Sequence, residues 1–579
     1  MVWITPKTDW EPANGVADVD FNRIEGNIEH LFNVKVDRAV SETVTVGENG
    51  DFQTINAAIE YLSRKRPEHV TSGEIKAEIQ LLSGYTMQEQ VFVENVDLSW
   101  IVITSEASTV TIDRGSLTRR INVNQPPEFT ISPAFACFNG FLPVIDVLFA
   151  MNASGTANDQ SGVFLDNGNC IFLPGGGVTD TAFIGLCAIN GSNVIANGTD
   201  FSNAGDKSSV YGDGFRIWAS TLTATQSKAD DAGDTGFNIS MGSKANLNGA
   251  QANGCGHHNL LSTSSSIVSA REGIFRNAQD DCMVAYAGGV IDARYADVSG
   301  AVENYGVIAT RSSYINIEEG TANDCGASGI AANRGSVVDA TGATANNNGG
   351  HNVYAHNASV IVFSEGTATY AGQDNIHANH GSIVNARLAT LTNAGRNAVL
   401  AYGGVSVDVD GADLRNASYR GIEATHGSIV NGQNVLASGA GDRGVLAYAN
   451  SFIDIDGADV SGAEVRCIEA TRGSIVNAQN VDASGAGDKN VIAFGASTIN
   501  LNESDARNAG ENGVECSRGS TINAHGVNAS GAGDTGFVVF NGSIINAGGA
   551  TGSFSQTVNQ ITSNGIIFGD EPEDEQEGE

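Results

Sequence analysis

The chain has 579 residues, of which 71 are glycine and 9 are proline, and its formal net charge is −36. So acidic a balance argues against general nucleic-acid binding, which needs a basic surface, and it favours solubility. The chain is long for one compact core, but a stacked repeat grows without that limit.

The first 45 residues differ from the rest of the chain. Apolar side chains recur on one face of a helix predicted over 20–32, at Phe21, Ile24, Ile28 and Leu31. A short isolated helix needs a surface to dock on. No basic stretch followed by an apolar run opens the chain, and no stretch is long and apolar enough to cross a bilayer. We therefore expect folding in a cytoplasm, without membrane insertion.

Residues 46–165 form a transition to a more regular region. After Gly50 a helix is predicted, with one apolar face made of Ile55, Ala58, Ile59 and Leu62. Strands are predicted over 75–82, 90–96 and 100–105. An amphipathic helix before the first strands can seal the open end of a stacked core. Residues 106–165 show no regular pattern.

Residues 166–555 repeat every 23 residues. Serine marks one position of the repeat, at Ser336, Ser359, Ser382, Ser428, Ser451, Ser474, Ser497, Ser520 and Ser543. A repeat this short cannot bury a core alone, so successive coils must stack. Within a coil, apolar residues alternate over three short segments separated by glycine turns, which indicates strands that pair in parallel between coils.

The predicted fold is therefore all-β, a right-handed single-stranded parallel β-helix with three short strands per coil. Its handedness follows from the crossover rule. Residues 556–579 are predicted to form a final strand and an acidic tail.

The eight cysteines form no CxxC pair and have no metal-like spacing. Several of them, such as Cys467 and Cys516, occupy positions that hold alanine or valine in other coils. We predict buried thiols, and neither a metal nor a cofactor.

Two stretches near the start resemble a known class of proteins. Thr8-Asp9-Trp10, with the segment 20–28, resembles the opening of bacteriophage tail-appendage proteins. The segment 50–59, followed by a predicted β-helix, resembles pectate-lyase-like tailspikes. The resemblance implies a virion attachment segment over 1–45 that binds tail or baseplate proteins, a homotrimer, and a virion protein assembled in the host cytoplasm. It also implies recognition, often with cleavage, of a host-surface polysaccharide or teichoic acid.

One turn changes character in the middle of the repeat. In successive coils it reads Asp234-Thr235, His257-His258, Asp280-Asp281 and Asn304-Tyr305. Asp234 and Asp280 lie two coils apart, roughly 9–10 Å, near the upper separation of an inverting glycosidase pair. We interpret Asp234, His257, His258, Asp280 and Asp281 as candidate catalytic residues, with histidine sharing or tuning a proton.

Two further observations bear on this interpretation. The run 279–282 resembles the Asp-Asp-Cys segment of polygalacturonase-type glycosidases, but the later histidine and the Arg-Ile-Lys element of that family are absent. Alternatively, Asp280 is the ordinary turn aspartate, since Asp442, Asp488 and Asp534 occupy the same slot.

The same turn later becomes basic in four consecutive coils, at Arg420, Arg443, Arg466 and Lys489. Like charges about 4.8 Å apart repel, so this column calls for anions. Those anions are either acidic groups of a bound polymer or the nearby carboxylates Glu423, Asp442, Glu469 and Asp488.

Aromatic residues follow a period of two coils. Tyr402, Tyr448, Phe494 and Phe540 are 46 residues apart, and the intervening coils carry His380, His426, Arg472 and Arg518 one position later. Tyr402, Tyr448 and Phe494 are candidate ligand-binding residues because sugar rings stack on aromatic faces and the spacing matches a disaccharide. Subunit packing, or duplication of a two-coil unit, would produce the same pattern.

The sequence thus favours a tailspike that binds and depolymerises a host-surface polysaccharide or teichoic acid, as a hydrolase or a lyase. The alternative is a non-enzymatic receptor-binding or structural appendage.

Overall fold

A computed structural model describes residues 42–65, 74–124, 128–152, 158–206, 212–552 and 565–569. The chain forms two compact units, residues 1–228 and 229–579. Within the described residues each unit is all-β and built from stacked coils whose strands pair in parallel, which confirms the predicted fold class. The helix predicted over 20–32 and the acidic tail lie outside the described residues.

In the first unit a capped helix follows the strand Glu42–Val46. Ile55–Ser63 is helical, as predicted, and the side chain of Thr54 accepts a hydrogen bond from the amide of Ala57 at its N-terminus. Ile55, Ala58 and Leu62 form the buried face. This face packs against the first two strands and closes the core at that point.

Three sheets form the coils of the first unit. The first consists of Glu42–Val46, Ala77–Leu81, Ile101–Ser105, Val144–Ile145, Asn169–Phe172, Asn193–Ala196 and Thr221–Thr223. The second consists of Val91–Glu94, Phe129–Phe138, Gln160–Asp166, Leu186–Ile189 and Phe215–Trp218, with Ile121–Val123 antiparallel to Phe129–Phe138. The third consists of Thr86–Met87, Val110–Ile112, Leu148–Met151 and Gly177–Thr179. A short 3₁₀ turn covers Arg114–Ser116.

The second sheet of this unit carries a buried ion pair. The guanidinium of Arg216, 2% exposed, pairs with the carboxylate of Asp213, which has no exposed surface. The rings of Phe129 and Trp218 flank the guanidinium, with centroids 5.2 and 5.5 Å from its central carbon. The carboxylate of Asp213 and these two aromatic faces thus contribute to compensation of the buried charge of Arg216.

The second unit has two long parallel ladders. The front ladder consists of Phe237–Ser240, Leu260–Thr263, Met283–Tyr286, Val307–Thr310, Ile330–Asn333, Val353–His356, Ile376–Asn379, Asn397–Tyr402, Arg420–Thr425, Arg443–Tyr448, Arg466–Thr471, Lys489–Phe494, Val514–Ser517 and Phe537–Val539. The side ladder consists of Lys244–Asn246, Ile267–Ser269, Val290–Asp292, Tyr314–Asn316, Val337–Asp339, Val360–Val362, Ile383–Asn385, Ser406–Asp408, Ile429–Asn431, Phe452–Asp454, Ile475–Asn477, Thr498–Asn500, Thr521–Asn523, Ile544–Asn546 and Ile566–Phe568.

The third predicted strand is reduced in this unit. After the paired strands Gln251–Asn253 and Ile274–Arg276, each described coil contributes a single bridging residue, such as Asp482. Its neighbours Val481 and Ala483 are buried as the sequence predicts. The segment is this short because turn residues in the left-handed region, such as Asn480, lie directly beside it.

The repeated serines hold consecutive coils in register. The amide of Ser451 donates to the hydroxyl of Ser474 at 3.2 Å, and that hydroxyl donates to the carbonyl of Thr471 at 2.9 Å. Ser497 and Ser520 repeat the amide–hydroxyl contact at 3.1 Å. A buried hydroxyl that serves as both donor and acceptor satisfies a turn which a larger side chain would not fit.

Stacked side-chain amides also hold consecutive coils in register, at the last residue of successive side-ladder strands. The amide of Asn500 donates to Asn477, that of Asn523 to Asn500, and that of Asn546 to Asn523, each at 2.7 Å. These side chains are structural and are not available as ligand groups.

All eight cysteines are buried thiols, as predicted, and none of them forms a disulfide. Among the described residues, no helix has the length and apolar character needed to cross a membrane.

Candidate functional site

The outer face of the front ladder presents three parallel columns of side chains. In the strand Arg420–Thr425, the side chains of Arg420 and Glu423 point outward while Ile422 and Ala424 point into the core. The ladder register repeats this pattern one coil later, so that Arg443 lies beside Arg420. The edge column is thus basic and the middle column alternates glutamate with leucine or isoleucine. The far column is aromatic in every second coil.

A groove of about 700 Å3 runs over these columns. Its walls and floor are formed by Arg396, Asn397, Leu400, Tyr402, Tyr419, Arg420, Glu423, Thr425, His426, Arg443, Leu446, Tyr448, Glu469, Thr471, Arg472 and Phe494. The volume is typical of ligand sites. Five predicted ligand residues, Arg420, Arg443, Tyr402, Tyr448 and Phe494, line this one groove, whereas Arg466 and Lys489 continue the edge column.

The imidazoles and guanidiniums of the intervening coils contact the rings of the aromatic column, so the column has no gaps over these coils. The ring of His426 lies 4.9 Å from that of Tyr402 and 6.1 Å from that of Tyr448, between centroids. The guanidinium of Arg472 lies 4.7 Å from the centroid of the Tyr448 ring. These contacts hold the rings in fixed positions along one wall of the groove.

The basic column is paired with carboxylates along its whole length. The ion pairs are Arg420–Glu423, Arg420–Asp442, Arg443–Asp442, Arg443–Glu469, Arg466–Glu469, Arg466–Asp488, Lys489–Asp488, Lys489–Glu511 and Lys489–Glu515. Four cations therefore face six carboxylates. This is the arrangement expected from local pairing, and it leaves no net positive strip in the four coils concerned.

Glu469 is the most tightly held carboxylate of the groove floor. It accepts hydrogen bonds from Arg443 at 2.5 Å and from Arg466 at 2.7 Å. Burial alone would raise the pKa of Glu469, but these two arginines outweigh burial and lower it below its ordinary value. Glu469 therefore stays ionised and acts as a hydrogen-bond acceptor rather than as a proton donor.

The candidate catalytic residues form an acid–histidine cluster at the same edge of the front ladder. The Nδ1 of His257 lies 3.2 Å from Asp234, and its Nε2 lies 3.0 Å from Asp280. The ring of His258 stacks on that of His257 with centroids 3.7 Å apart, and its Nδ1 lies 3.6 Å from Asp281. All five predicted residues are thus in one cluster.

The cluster differs from a simple glycosidase pair in one respect. The imidazole of His257 bridges Asp234 and Asp280, so it fills the space in which an inverting pair would hold water and substrate. The side chain of His257 is 51% exposed and closes that gap from the solvent side.

Protonation in the cluster is uneven. The hydrogen bond between His257 and Asp234 raises the pKa of His257 above its ordinary value. Burial lowers the pKa of His258 to about 3. Burial, together with neighbouring Asp280, raises the pKa of Asp281 to about 7. The exposed imidazole of His257 therefore keeps its proton to a higher pH than an ordinary histidine does, whereas the buried imidazole of His258 is neutral above about pH 3.

A second cluster, which the sequence analysis missed, lies on the same edge between the acid–histidine cluster and the groove. Asp374 has no exposed surface, and its carboxylate pairs with Arg396 at 2.5 Å, His377 at 3.0 Å and His351 at 3.4 Å. The ring of Tyr354 stacks on His351 at 5.3 Å. The turn that carries His351, Asp374 and Arg396 in successive coils gives the signal, but its residue types change from coil to coil.

This second cluster makes folding sensitive to acid. Burial, reinforced by His377, lowers the pKa of His351 to about 4 from 6.5. The unfolded chain therefore takes up this proton first as pH falls, and stability decreases from pH 6.5 to about 4 by up to about 3 kcal/mol. Hydrogen bonds outweigh burial and lower the pKa of Asp374 below its ordinary 3.8, so its contribution is lost only below this window.

We expect His351→Gln to lose less stability than the wild type when the pH is lowered from 7 to 4.5. Denaturation with urea at both pH values measures the difference, and His525→Gln, at an exposed position, is the matched control. Equal losses for wild type and His351→Gln would contradict this prediction.

Comparison with known proteins gives limited similarity. No family model matches the sequence, and neither does any curated protein. Among solved structures, the chain is similar to a mutant of the periplasmic alginate epimerase AlgG, with 11% identity, a TM-score of 0.27, and coverage of 70% of this chain and 78% of that chain.

Two other solved structures are similar over much of their length. For the PL6 family alginate lyase AlyGC, identity is 9%, the TM-score is 0.24, and coverage is 91% of this chain and 100% of that chain. For the GH136 lacto-N-biosidase from Eubacterium ramulus, identity is 8%, the TM-score is 0.17, and coverage is 79% and 67%. By name, these proteins act on carbohydrates, and none of the three is named as a virion protein.

Proposed function

We propose that the groove of the front ladder binds a polysaccharide chain. The observation that carries the proposal is the repeat of Tyr402, Tyr448 and Phe494 along one groove wall. Successive rings are two coils apart, roughly 9–10 Å. This spacing matches a disaccharide, so the rings can stack on every second sugar of an extended glycan.

The other wall and the floor suit the hydroxyl groups of sugars. Glu423 and Glu469 offer carboxylate oxygens at alternate coils, and Leu446 lies between them. The guanidinium groups of Arg420 and Arg443 face the groove from the edge column. Alternating acceptors, donors and apolar surface match a repeating polar polymer better than a compact small molecule.

The charge balance favours a neutral polysaccharide. Because the cations of the edge column are already paired, an acidic polymer would have to displace internal carboxylates. We expect the affinity for a neutral glycan to change by less than about twofold between low and high salt, as measured by titration calorimetry. A steep loss of affinity with salt would instead indicate an acidic ligand on Arg420, Arg443, Arg466 and Lys489.

The direct test uses bacterial capsule and cell-wall polysaccharide fractions immobilised on a surface. The purified chain is expected to bind at least one neutral fraction, and substitution of Tyr402 and Tyr448 is expected to weaken that binding strongly. Binding that is as tight after this substitution as before it, or no binding to any fraction, would overturn the proposal.

A second candidate function is cleavage of the bound polymer at the acid–histidine cluster. It is favoured by the grouping of Asp234, Asp280 and Asp281 around two imidazoles on the same ladder edge. Release of new reducing ends or unsaturated sugars by the wild type, and its loss in Asp280→Ala and Asp281→Ala, would support cleavage. Product release that is unchanged in both variants would contradict it.

The finer proposal is a homotrimeric phage tail appendage that recognises a host-surface glycan. It rests on the sequence resemblance of residues 1–45 and 50–59. Recognition of a teichoic acid, which is anionic, would instead show the steep salt dependence described above. Sedimentation of the full chain measures the oligomeric state, and binding of a peptide covering 1–45 to purified tail or baseplate protein tests attachment. A monomer that does not bind either protein would contradict this finer proposal.

A further inference from the structure

One buried imidazole atom in the acid–histidine cluster lacks a partner. The Nδ1 of His258 is buried and, among the described residues, no group is placed to form a hydrogen bond with it. The side chain is 8% exposed overall, and the nearest carboxylate oxygen, on Asp281, is 3.6 Å away. That distance is too long for a hydrogen bond, and leaving a buried polar atom unpaired costs about 1–3 kcal/mol.

The surrounding groups converge on the same point. One ligand atom from each of His257, His258 and Asp280 lies within 4.8 Å of the other two. Ligands of one zinc ion, at bond lengths of about 2.0–2.2 Å, lie about 3–4 Å apart. The Nε2 of His257 and the Oδ2 of Asp280 are already 3.0 Å apart. The ring of His258 stacks on that of His257 with 26° between the planes, so it would rotate out of this stack to bring its nitrogen to the same ion.

Asp234 is placed to orient one of these ligands. Its carboxylate lies 3.2 Å from the Nδ1 of His257, the ring nitrogen opposite the one that faces Asp280. Histidine ligands of metals generally donate their other ring N–H to a carboxylate, which fixes the ring and raises its basicity. Asp281, whose backbone neighbour is Asp280, adds a further carboxylate beside His258.

We propose that His257, His258 and Asp280 bind a divalent transition-metal ion of the zinc type, with Asp234 as the positioning carboxylate. Two imidazole nitrogens and one carboxylate oxygen form a ligand set preferred by Zn2+ over Ca2+ or Mg2+, which favour oxygen ligands. The ion would satisfy the buried Nδ1 of His258 and offset the adjacent carboxylates. The site is independent of the proposed polysaccharide groove.

The second cluster provides an internal contrast. His351, Asp374 and His377 also bring three ligand atoms within 4.8 Å. There, however, Arg396 already binds both oxygens of Asp374, at 2.9 and 2.5 Å. A guanidinium in that position supplies the positive charge that an ion would bring, so we expect this second cluster to bind no Zn2+.

The test measures Zn2+ binding to the full chain by equilibrium dialysis with metal analysis, and repeats it with Co2+, whose absorption spectrum reports imidazole ligands. We expect one Zn2+ per wild-type chain. His257→Ala should weaken binding by about 100-fold or more, and Asp234→Asn by about 10–100-fold, the usual effect of losing an orienting carboxylate. The double variant His351→Ala/His377→Ala is the matched control and should bind as the wild type does.

His257→Ala is the deciding variant because the side chain of His257 is half-exposed and its loss leaves the core intact, whereas His258 is buried. Added Zn2+ should also raise the melting temperature of the wild type but not that of His257→Ala. The proposal is overturned if the wild type binds no Zn2+ at millimolar concentration. It is also overturned if His257→Ala binds as the wild type does, or if binding is lost only in the control.

Discussion

Replacing both Tyr402 and Tyr448 by alanine is expected to weaken polysaccharide binding about 100-fold. Each ring would contribute about 1.4 kcal/mol by stacking on a sugar, or about tenfold in affinity. The two rings are two coils apart, roughly 9–10 Å, a separation at which such effects usually add. Titration calorimetry with a fraction that binds the wild type measures the loss.

The control for this variant replaces exposed tyrosines elsewhere in the same unit. Tyr295 and Tyr370 are 55% and 60% exposed and do not line the groove, while Tyr402 is 41% exposed. Tyr295→Ala/Tyr370→Ala should therefore bind as tightly as the wild type. If both double variants bind equally well, the aromatic column serves subunit packing or reflects duplication alone, and sedimentation of Tyr402→Ala/Tyr448→Ala distinguishes these outcomes.

Asp213→Ala is expected to destabilise the first unit by about 3–5 kcal/mol. The substitution removes a carboxylate that pairs with the buried guanidinium of Arg216, and removing one partner of a buried ion pair is among the most costly changes in a core. Urea denaturation followed by the fluorescence of Trp218, which packs on Arg216, reports the unfolding of this region.

Two controls separate charge burial from general packing. In Asp213→Ala/Arg216→Met both charges are removed, so much of the lost stability should return. Glu60→Ala breaks an ion pair between Glu60 and Arg64 that lies on the surface of the helix, and should cost less than about 1 kcal/mol. A loss for Asp213→Ala no larger than that for Glu60→Ala would show that Arg216 finds other compensation.

Much of the fold could be predicted because each recurring residue type satisfies a local need of the coil. Ser474 and Ser520 recur because a buried hydroxyl joins two turns, and Asn477 and Asn500 recur because amides stack. The length of the third strand could not be predicted from the sequence, because the apolar alternation around Asp482 is the same for a full strand and for a single bridging residue.

The candidate site was only partly predictable. Columns of like residues, such as Arg420 and Arg443 with their neighbouring acids, can be recognised by spacing alone. The cluster of His351, Asp374 and His377 could not be found in this way, because its members differ from coil to coil and come from both the turn and the strand that follows it. Likewise, spacing places His257 between two acids but does not show that its ring bridges them.

The two-coil alternation of the groove has a consequence for how this chain can change length. Removing one coil of 23 residues would keep the core in register but would break the alternation, bringing either two aromatic coils or two glutamate coils together, according to which coil is lost. Removing or copying 46 residues would keep the alternation of aromatic and glutamate coils across the junction. The smallest inheritable increment of the groove is therefore a 46-residue module, and each duplication would lengthen the binding track by one aromatic ring and one carboxylate.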